Sequence, residues 1–146
     1  MKLFTIGVAQ ISAEAFFSLL RHHGVERVID VRLRTDGQLA GFAKKRDLPY
    51  FLDHLSNCRY SHLPILAPTP AILDSYRKDH DWKHYVEQFE ALMDERDVPN
   101  TIERFLFESE TCCLLCSENS PAHCHRRLVA ERLARTWNGL DVIHLG

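Results

Sequence analysis

The densest collection of reactive side chains in this 146-residue chain is the run CSENSPAHCHRR, residues 116–127, which directly follows the apolar run CCLLC. The composition of this run admits three chemistries. The first is thiol chemistry. If a helix opens at Cys124, its free N–H groups and the positive end of its dipole stabilise a thiolate there, or a bound anion. Cys124 is then expected to have a depressed pKa, with His125 or His123 as its base. Neighbouring residues at a helix start project about 100° apart, so His125 is not assured of facing Cys124. A reversible Cys116–Cys124 disulfide is a variant of the same chemistry. The second is anion binding. Arg126 and Arg127 fall in the first helical turn, where the dipole disfavours cations, and this calls for an anionic partner: a carboxylate, a phosphate or Glu118 itself. The third is a transition metal. Cys113 and Cys116 have C-x2-C spacing, but in a strand they point to opposite faces. Cys116, Cys124 and His125, with Glu118, form a set that can converge on one point and leave a catalytic-type open position.

A second group lies far away in the chain. Asp30 and Arg32 end the run RVIDVR and point to the same side at period two. A carboxylate at a strand end can orient a histidine, act as a general base or hold a sugar hydroxyl, and Arg32 can fork onto a phosphate or carboxylate. The purely structural alternative is an ion pair, Asp30 with Arg126 for instance. The segment at residues 32–45 carries Arg32, Arg34, Lys44 and Lys45 around Phe42 and two glycines. Basic residues interleaved with an aromatic suit a nucleotide or nucleic-acid phosphate, whereas a solvated loop is the plainer expectation. Tyr50, Tyr60 and His62 are candidates to line the same crevice.

These residues need elements to carry them. Residues 2–6 are a β-prone run ended by Gly7. Ser12 is an expected N-cap, Phe16, Leu19, Leu20 and His23 recur at helical spacing, and Gly24 closes the helix. Residues 27–31 read as a second strand and 32–45 as a loop. Asp47 is an expected cap for a helix to residue 55, with Pro49 in its first turn. Residues 60–66 are extended and are stopped at 67–70. Trp82, Tyr85, Val86, Phe89, Leu92 and Met93 form an amphipathic stripe that is assigned to the core, with no ligand. A short helix is expected near 102–107, a buried strand at 112–116, a helix at 124–137 closed by Gly139, and a last strand at 141–145.

Short buried strands alternating with helices predict an α/β fold: a single compact domain over residues 1–146, a mostly parallel sheet with helices on both faces, in Rossmann-like layering. In such sheets ligands bind beyond the carboxyl ends of the strands. Gly7, Asp30, Arg32, Cys116 and Glu118 all fall there, and Cys124, His125 and Arg126 open the next helix. The two groups are therefore expected to meet in one crevice.

Eighteen Lys and Arg against twenty Asp and Glu give a net charge of −2, which argues against a globally basic nucleic-acid coat protein but leaves room for a local basic patch. No apolar run approaches the ~20 residues of a bilayer span, and the N-terminus does not read as a signal peptide. Five cysteines, an odd number, suit free thiols in a reducing compartment, so the expected location is the cytoplasm. Cys112 and Cys113 are expected to be inert core thiols.

TIG at 5–7, IDVR at 29–32, GF-x-K at 41–44, L-x-x-F-L at 48–52, Y-x-H-L-P at 60–64 and LLCSE with CHRRLVAE at 114–131 resemble the domain-of-unknown-function 488 family. The resemblance runs almost end to end, and C-x-E…C-H-R is its most specific part. LAPT at 66–69 is similar to one branch of the family. Val8, Ala9 and Gln10 stand where many members follow TIG with a His-Ser-type pair. The resemblance implies a compact α/β fold and a site built from Asp30, Arg32, Cys116, Glu118, Cys124, His125 and Arg126, but no reaction.

The functional expectation is an enzyme that binds a small anionic ligand, nucleotide and nucleic acid included. Arg32, Arg126 and Gly7 would bind the anion, while Asp30, Glu118, Cys124 and His125 would carry the chemistry. The alternative is a non-catalytic metal-binding or thiol-redox module using Cys116, Cys124 and His125.

Overall fold

Burial at period two organises the sheet. Leu3, Ile29, Val31, Cys112, Leu114 and Cys116 face one core, while Phe4, Ile6, Val28, Cys113 and Leu115 face a second core on the other side. None of these side chains is more than 4% exposed. Strands with both faces buried read as the continuous apolar runs seen in the sequence. The computed structural model describes residues 1–146, apart from the side chains of Gln38 and Leu39.

The strands are β1 (Lys2–Gly7), β2 (Arg27–Asp30), β3 (Arg59–His62), β4 (Cys112–Cys116) and β5 (Asp141–His144). They form one sheet in the order β3-β2-β4-β1-β5, and every pairing is parallel. The α-helices are α1 (Ala13–His22), α2 (Leu48–Ser56), α3 (Pro70–Asp79), α4 (Trp82–Glu95), α5 (Arg104–Ser109) and α6 (His125–Thr136). Phe16, Phe17 and Leu20 of α1 and Leu48 and Leu52 of α2 fill the second core. Ile72 of α3, Tyr85, Phe89 and Met93 of α4, Phe107 of α5, and Leu128, Val129 and Leu133 of α6 fill the first. Helices thus cover both faces, as the strand–helix alternation predicts.

Local signals explain the boundaries. Ser12 Oγ accepts the Ala15 N–H at 3.1 Å at the start of α1, and Gly24 follows its end with φ +66°. Asp47 precedes α2 but makes no capping bond; its carboxylate takes Arg46 at 3.0 Å instead. The expected second strand is one residue shorter, although the Val31 N–H still reaches the Leu115 carbonyl at 3.0 Å. Extended structure in residues 60–66 stops at His62 and gives way to a 3-10 turn, Pro64–Leu66.

Two expectations are corrected. Residues 70–79 were not expected to be helical, yet they form α3. Thr69 Oγ1 accepts the Ile72 N–H at 3.2 Å and Pro70 occupies the first turn, where its missing N–H costs nothing. Residues 32–45 are not a free solvated loop. They contain a kinked 3-10 segment, Gln38–Ala43, and Arg32, Thr35 and Ala43 are buried. Phe42 packs on Phe16 and Phe17 at centroid distances of 5.2 and 5.6 Å, so the aromatic considered for a nucleic-acid contact is half-buried against the second core.

The register places the carboxyl ends of β2, β4 and β1 side by side, with Asp30 beside Leu115 and Gly7 beside Cys116. Arg126 of α6, 0% exposed, ties this edge together. Its Nε donates to Thr5 Oγ1 at 3.2 Å, its Nη1 to the Glu118 carbonyl and its Nη2 to the Asn119 carbonyl at 3.1 Å. Gly7 makes room for this arrangement. A Cβ there would lie 1.6 Å from the Glu118 carbonyl oxygen and 2.9 Å from Arg126 Nη1. Gly7→Ala therefore forces the backbone after β4 to move. It should cost about 1–3 kcal/mol or more and lower the unfolding temperature by several degrees, which calorimetry measures.

Candidate functional site

Beyond the strand ends lies a cavity of about 440 Å³. Cys116, Ser117 and Glu118 enter it from the end of β4, and His123, Cys124 and His125 from the start of α6. Arg32, Leu33 and Arg34 come from the segment after β2, Leu73, Tyr76 and Arg77 from α3, and Trp82 and Tyr85 from α4. Arg32 and Arg34 thus meet the thiol and histidine run that lies far from them in the chain.

At the base, Cys116 Sγ lies 3.5 Å from His125 Nδ1, and His125 Nε2 donates to the Val31 carbonyl at 2.6 Å. That carbonyl can only accept, so Nε2 carries a hydrogen and Nδ1 is the nitrogen turned to the sulfur. Ligand atoms of Cys116, Cys124 and His125 all lie within 4.8 Å of one another, and all three residues are buried. The Glu118 carboxylate is not in this cluster, and the residue is exposed.

The thiols are unequal. Burial alone would raise Cys116, but the hydrogen bond from the Cys124 thiol, the charge and hydrogen bond of His125 and the Glu118 N–H outweigh it and hold Cys116 well below the usual thiol range. Burial, and its role as donor to Cys116, push Cys124 well above it. Burial disfavours a cationic His125, yet the Cys116 thiolate and the Val31 carbonyl raise it. These directions favour a Cys116 thiolate beside a His125 imidazolium, with Cys124 as the neutral thiol next to them. The expectation of a depressed Cys124 is thus reversed: the helix start favours an anion, but the sulfur facing the imidazole is Cys116. Cys112 and Cys58 are raised to about 12, mainly by burial, as inert thiols should be, and Cys113 is raised as well.

Asp30 does not reach the cavity. It is 0% exposed and grips Arg32 through Nε at 2.9 Å and Nη2 at 2.8 Å, and it accepts the Tyr60 hydroxyl at 2.5 Å. Its partner is Arg32, not Arg126. Arg32 Nη2 also donates to the Ala43 carbonyl at 2.7 Å. Nη1, on the guanidinium edge away from Asp30, has no hydrogen-bond partner among the described residues, and Arg32 lines the cavity. His62 donates to the Arg32 carbonyl at 2.9 Å, and Tyr60 holds Asp30, so both support the site from behind rather than line it. Tyr50 lies on α2, stacked on His54.

The anionic partner expected for Arg126 is replaced by neutral ones, the Thr5 hydroxyl and two carbonyls. Arg127 lies 3.5 Å from Glu131 and over the Trp82 ring. Neither Arg126 nor Gly7 lines the cavity; both shape the turn that does. Trp82 and Tyr85 pack in the core as expected and also line the cavity, as does Arg34 of the basic 32–45 segment; Tyr76 and Arg77 line it too, and sequence reasoning missed them. The signal for α3 was present in Thr69-Pro70, a cap followed by an N1 proline.

The buried Asp30–Arg32 pair makes one sharp demand. Asp30→Asn leaves the guanidinium without a counter-charge and should cost about 3–5 kcal/mol, so it is read first as a fall in the denaturation midpoint. A variant of unchanged stability would show that Asp30 is free for acid–base work.

Neither the curated proteins nor the solved structures contain a significant match to this chain. A family model does match, from the α1 cap into α6, and it takes in Asp30, Arg32, Cys116, Glu118, Cys124, His125 and Arg126. With residues 12–133 covered, the chain belongs to the family described as a domain of unknown function, DUF488.

Proposed function

We propose that the protein is a thiol-dependent enzyme acting on a small anionic ligand at the carboxyl edge of its sheet. The observation that carries this is the Cys116–His125–Val31 alignment at the base of the cavity, with sulfur to nitrogen at 3.5 Å and nitrogen to carbonyl at 2.6 Å. It has the form of a nucleophile, its proton partner and a group that orients the partner. The Cys116 thiolate supplies the electron pair that bonds to an electrophilic atom of the ligand. The leaving group departs with the pair of the broken bond and takes the Nδ1 proton of His125. Neutral His125 then recovers a proton from the water or other acceptor that releases the product.

Anion selectivity follows from the lining. Arg32, Arg34, Arg77, His80, His123 and His125 face the cavity, and Glu118 is its one carboxylate among the described residues. Glu118 sits at the rim, where it serves a leaving group or an incoming water better than the thiolate. Nucleotides and other phosphates fall in this ligand class. Among the described residues, no helix is long and apolar enough to cross a membrane. We place the protein in the cytoplasm, where a reducing environment keeps thiols such as Cys116 and Cys124 active.

The cluster also favours a second proposal, a transition-metal centre. Bonds of ~2.3 Å to sulfur and ~2.05 Å to nitrogen in a tetrahedral zinc site set sulfur and nitrogen about 3.5 Å apart, the separation of Cys116 and His125. The Val31 carbonyl behind His125 is the outer partner that a metal-bound imidazole uses. Cys116, Cys124 and His125 would hold the ion, with the fourth position toward the cavity.

Two measurements decide between these proposals. Elemental analysis of protein prepared without a histidine tag should find no stoichiometric metal if Cys116 works as a free thiolate, and one ion per chain if the cluster is a metal centre. Alkylation of Cys116 by iodoacetamide, followed by mass spectrometry, should proceed at a nearly constant rate as pH falls through the ordinary thiol value of ~8.5. It should slow only at the depressed value, and His125→Ala should reduce it about tenfold or more near neutrality. The same shifts link to stability with opposite signs. The lowered Cys116 value contributes stability that is complete above the unfolded thiol pKa and is lost as pH falls through the folded one. The raised His125 value contributes stability that is complete below ~6.5 and is lost as pH rises through its folded value.

A further inference from the structure

Tyr85 is only 4% exposed and lines the cavity, yet its hydroxyl makes no hydrogen bond among the described residues. Its ring is fixed on both sides. Trp82 stacks on it at 5.0 Å and 12°, and Phe89 follows at 6.0 Å and 6°. Phe89 in turn lies 5.7 Å from the His125 ring, so the stack runs from the cavity wall to the thiolate pair. Tyrosines buried this deeply ordinarily find a hydrogen-bond partner. The hydroxyl oxygen is not sealed from solvent, so it opens onto the cavity and its partner comes from there. A second donor is left open in the same way: Arg32 Nη1, on a side chain 2% exposed, is turned away from Asp30.

We infer that Tyr85 Oη and Arg32 Nη1 together form a receptor for one compact oxyanion, a carboxylate or similar group, held beside the Cys116 sulfur. The proposal rests on an anionic ligand entering the Cys116 site, and it adds a residue and narrows the ligand class. Two donors suit the two oxygens of a carboxylate: the phenol gives a directional hydrogen bond, and the guanidinium gives a charge-assisted one. The paired Asp30 keeps Arg32 from pivoting toward the ligand, so the receptor is built before the ligand arrives. Burial and the nearby sulfurs of Cys116 and Cys124 raise Tyr85, so it stays a phenol and a donor throughout the working range. The ligand is then an electrophile bearing its negative group close to the reacting atom, because Cys116, Arg32 and Tyr85 all lie around one cavity.

The test separates this receptor from the thiolate chemistry. In Cys116→Ser protein, where no sulfur can react, propionate is titrated and followed by NMR, with and without Tyr85→Phe. Phenylalanine preserves the ring stack, so the unfolding temperature should barely move. Binding should weaken about five- to tenfold, the loss expected for one hydrogen bond. Equal affinities in the two proteins, or no binding in either, would overturn the inference. Wild-type protein supplies a check that needs no variant at Tyr85: the ratio of iodoacetate to iodoacetamide alkylation at Cys116 should exceed that of a free cysteine in the same buffer. A ratio at or below the free-cysteine value also overturns the inference. If neither reagent modifies Cys116, the thiolate enzyme fails instead, and the propionate titration still decides the receptor.

Discussion

The site depends on a cation buried without a carboxylate. Arg126 is 0% exposed and is held only by the Thr5 hydroxyl and the carbonyls of Glu118 and Asn119. A desolvated guanidinium needs its donors filled, and here the turn leaving β4 fills them. The turn must pass directly over β1, which is why Gly7 has no side chain to spare. Fixing the turn fixes the Glu118 N–H near Cys116 and the angle at which the chain enters α6. The position of every reactive group at the base of the cavity follows from that one buried side chain.

Electrostatics then explains why the nucleophile sits where it does. The first turn of α6 holds three basic residues, His125, Arg126 and Arg127, where the helix dipole also presents positive charge. That setting lowers the Cys116 thiol and favours its anion there, while burial keeps Cys124 a neutral thiol beside it. A thiolate in low dielectric is tolerable only with such partners. The same logic separates the two acid groups. Asp30 is spent on the Arg32 charge, whereas Glu118 uses its backbone for structure and keeps its carboxylate in solvent.

Most of the fold was legible because its strands are short, apolar and separated by strongly periodic helices. α3 was not, because Ile72, Leu73 and Tyr76 are diluted by Asp74, Arg77 and Lys78, and Thr69-Pro70 reads equally as a stop or a start. The meeting of Arg32 with Cys116, Cys124 and His125 was legible from the rule that ligands bind beyond parallel strand ends. Which sulfur faces the imidazole was not, because that depends on how the turn after β4 and the start of α6 set Cys116 and Cys124 around His125. Tyr85 was hidden by its own stripe. Helical spacing identifies the face a residue lies on, but not that its hydroxyl end emerges into a hollow.

The strand order has a consequence for how the chain becomes a protein. β1 pairs only with β4 and β5, and β2 joins β1 only through β4. Until Cys112–Cys116 has left the ribosome, β1 has no neighbour to bond with, and one flank of β2 stays bare. Non-local pairing of this kind is slow, and the waiting edges are adhesive. The strand that ends in Cys116 is therefore the wedge that unites the two halves of the sheet, so the reactive edge is assembled only late in biosynthesis.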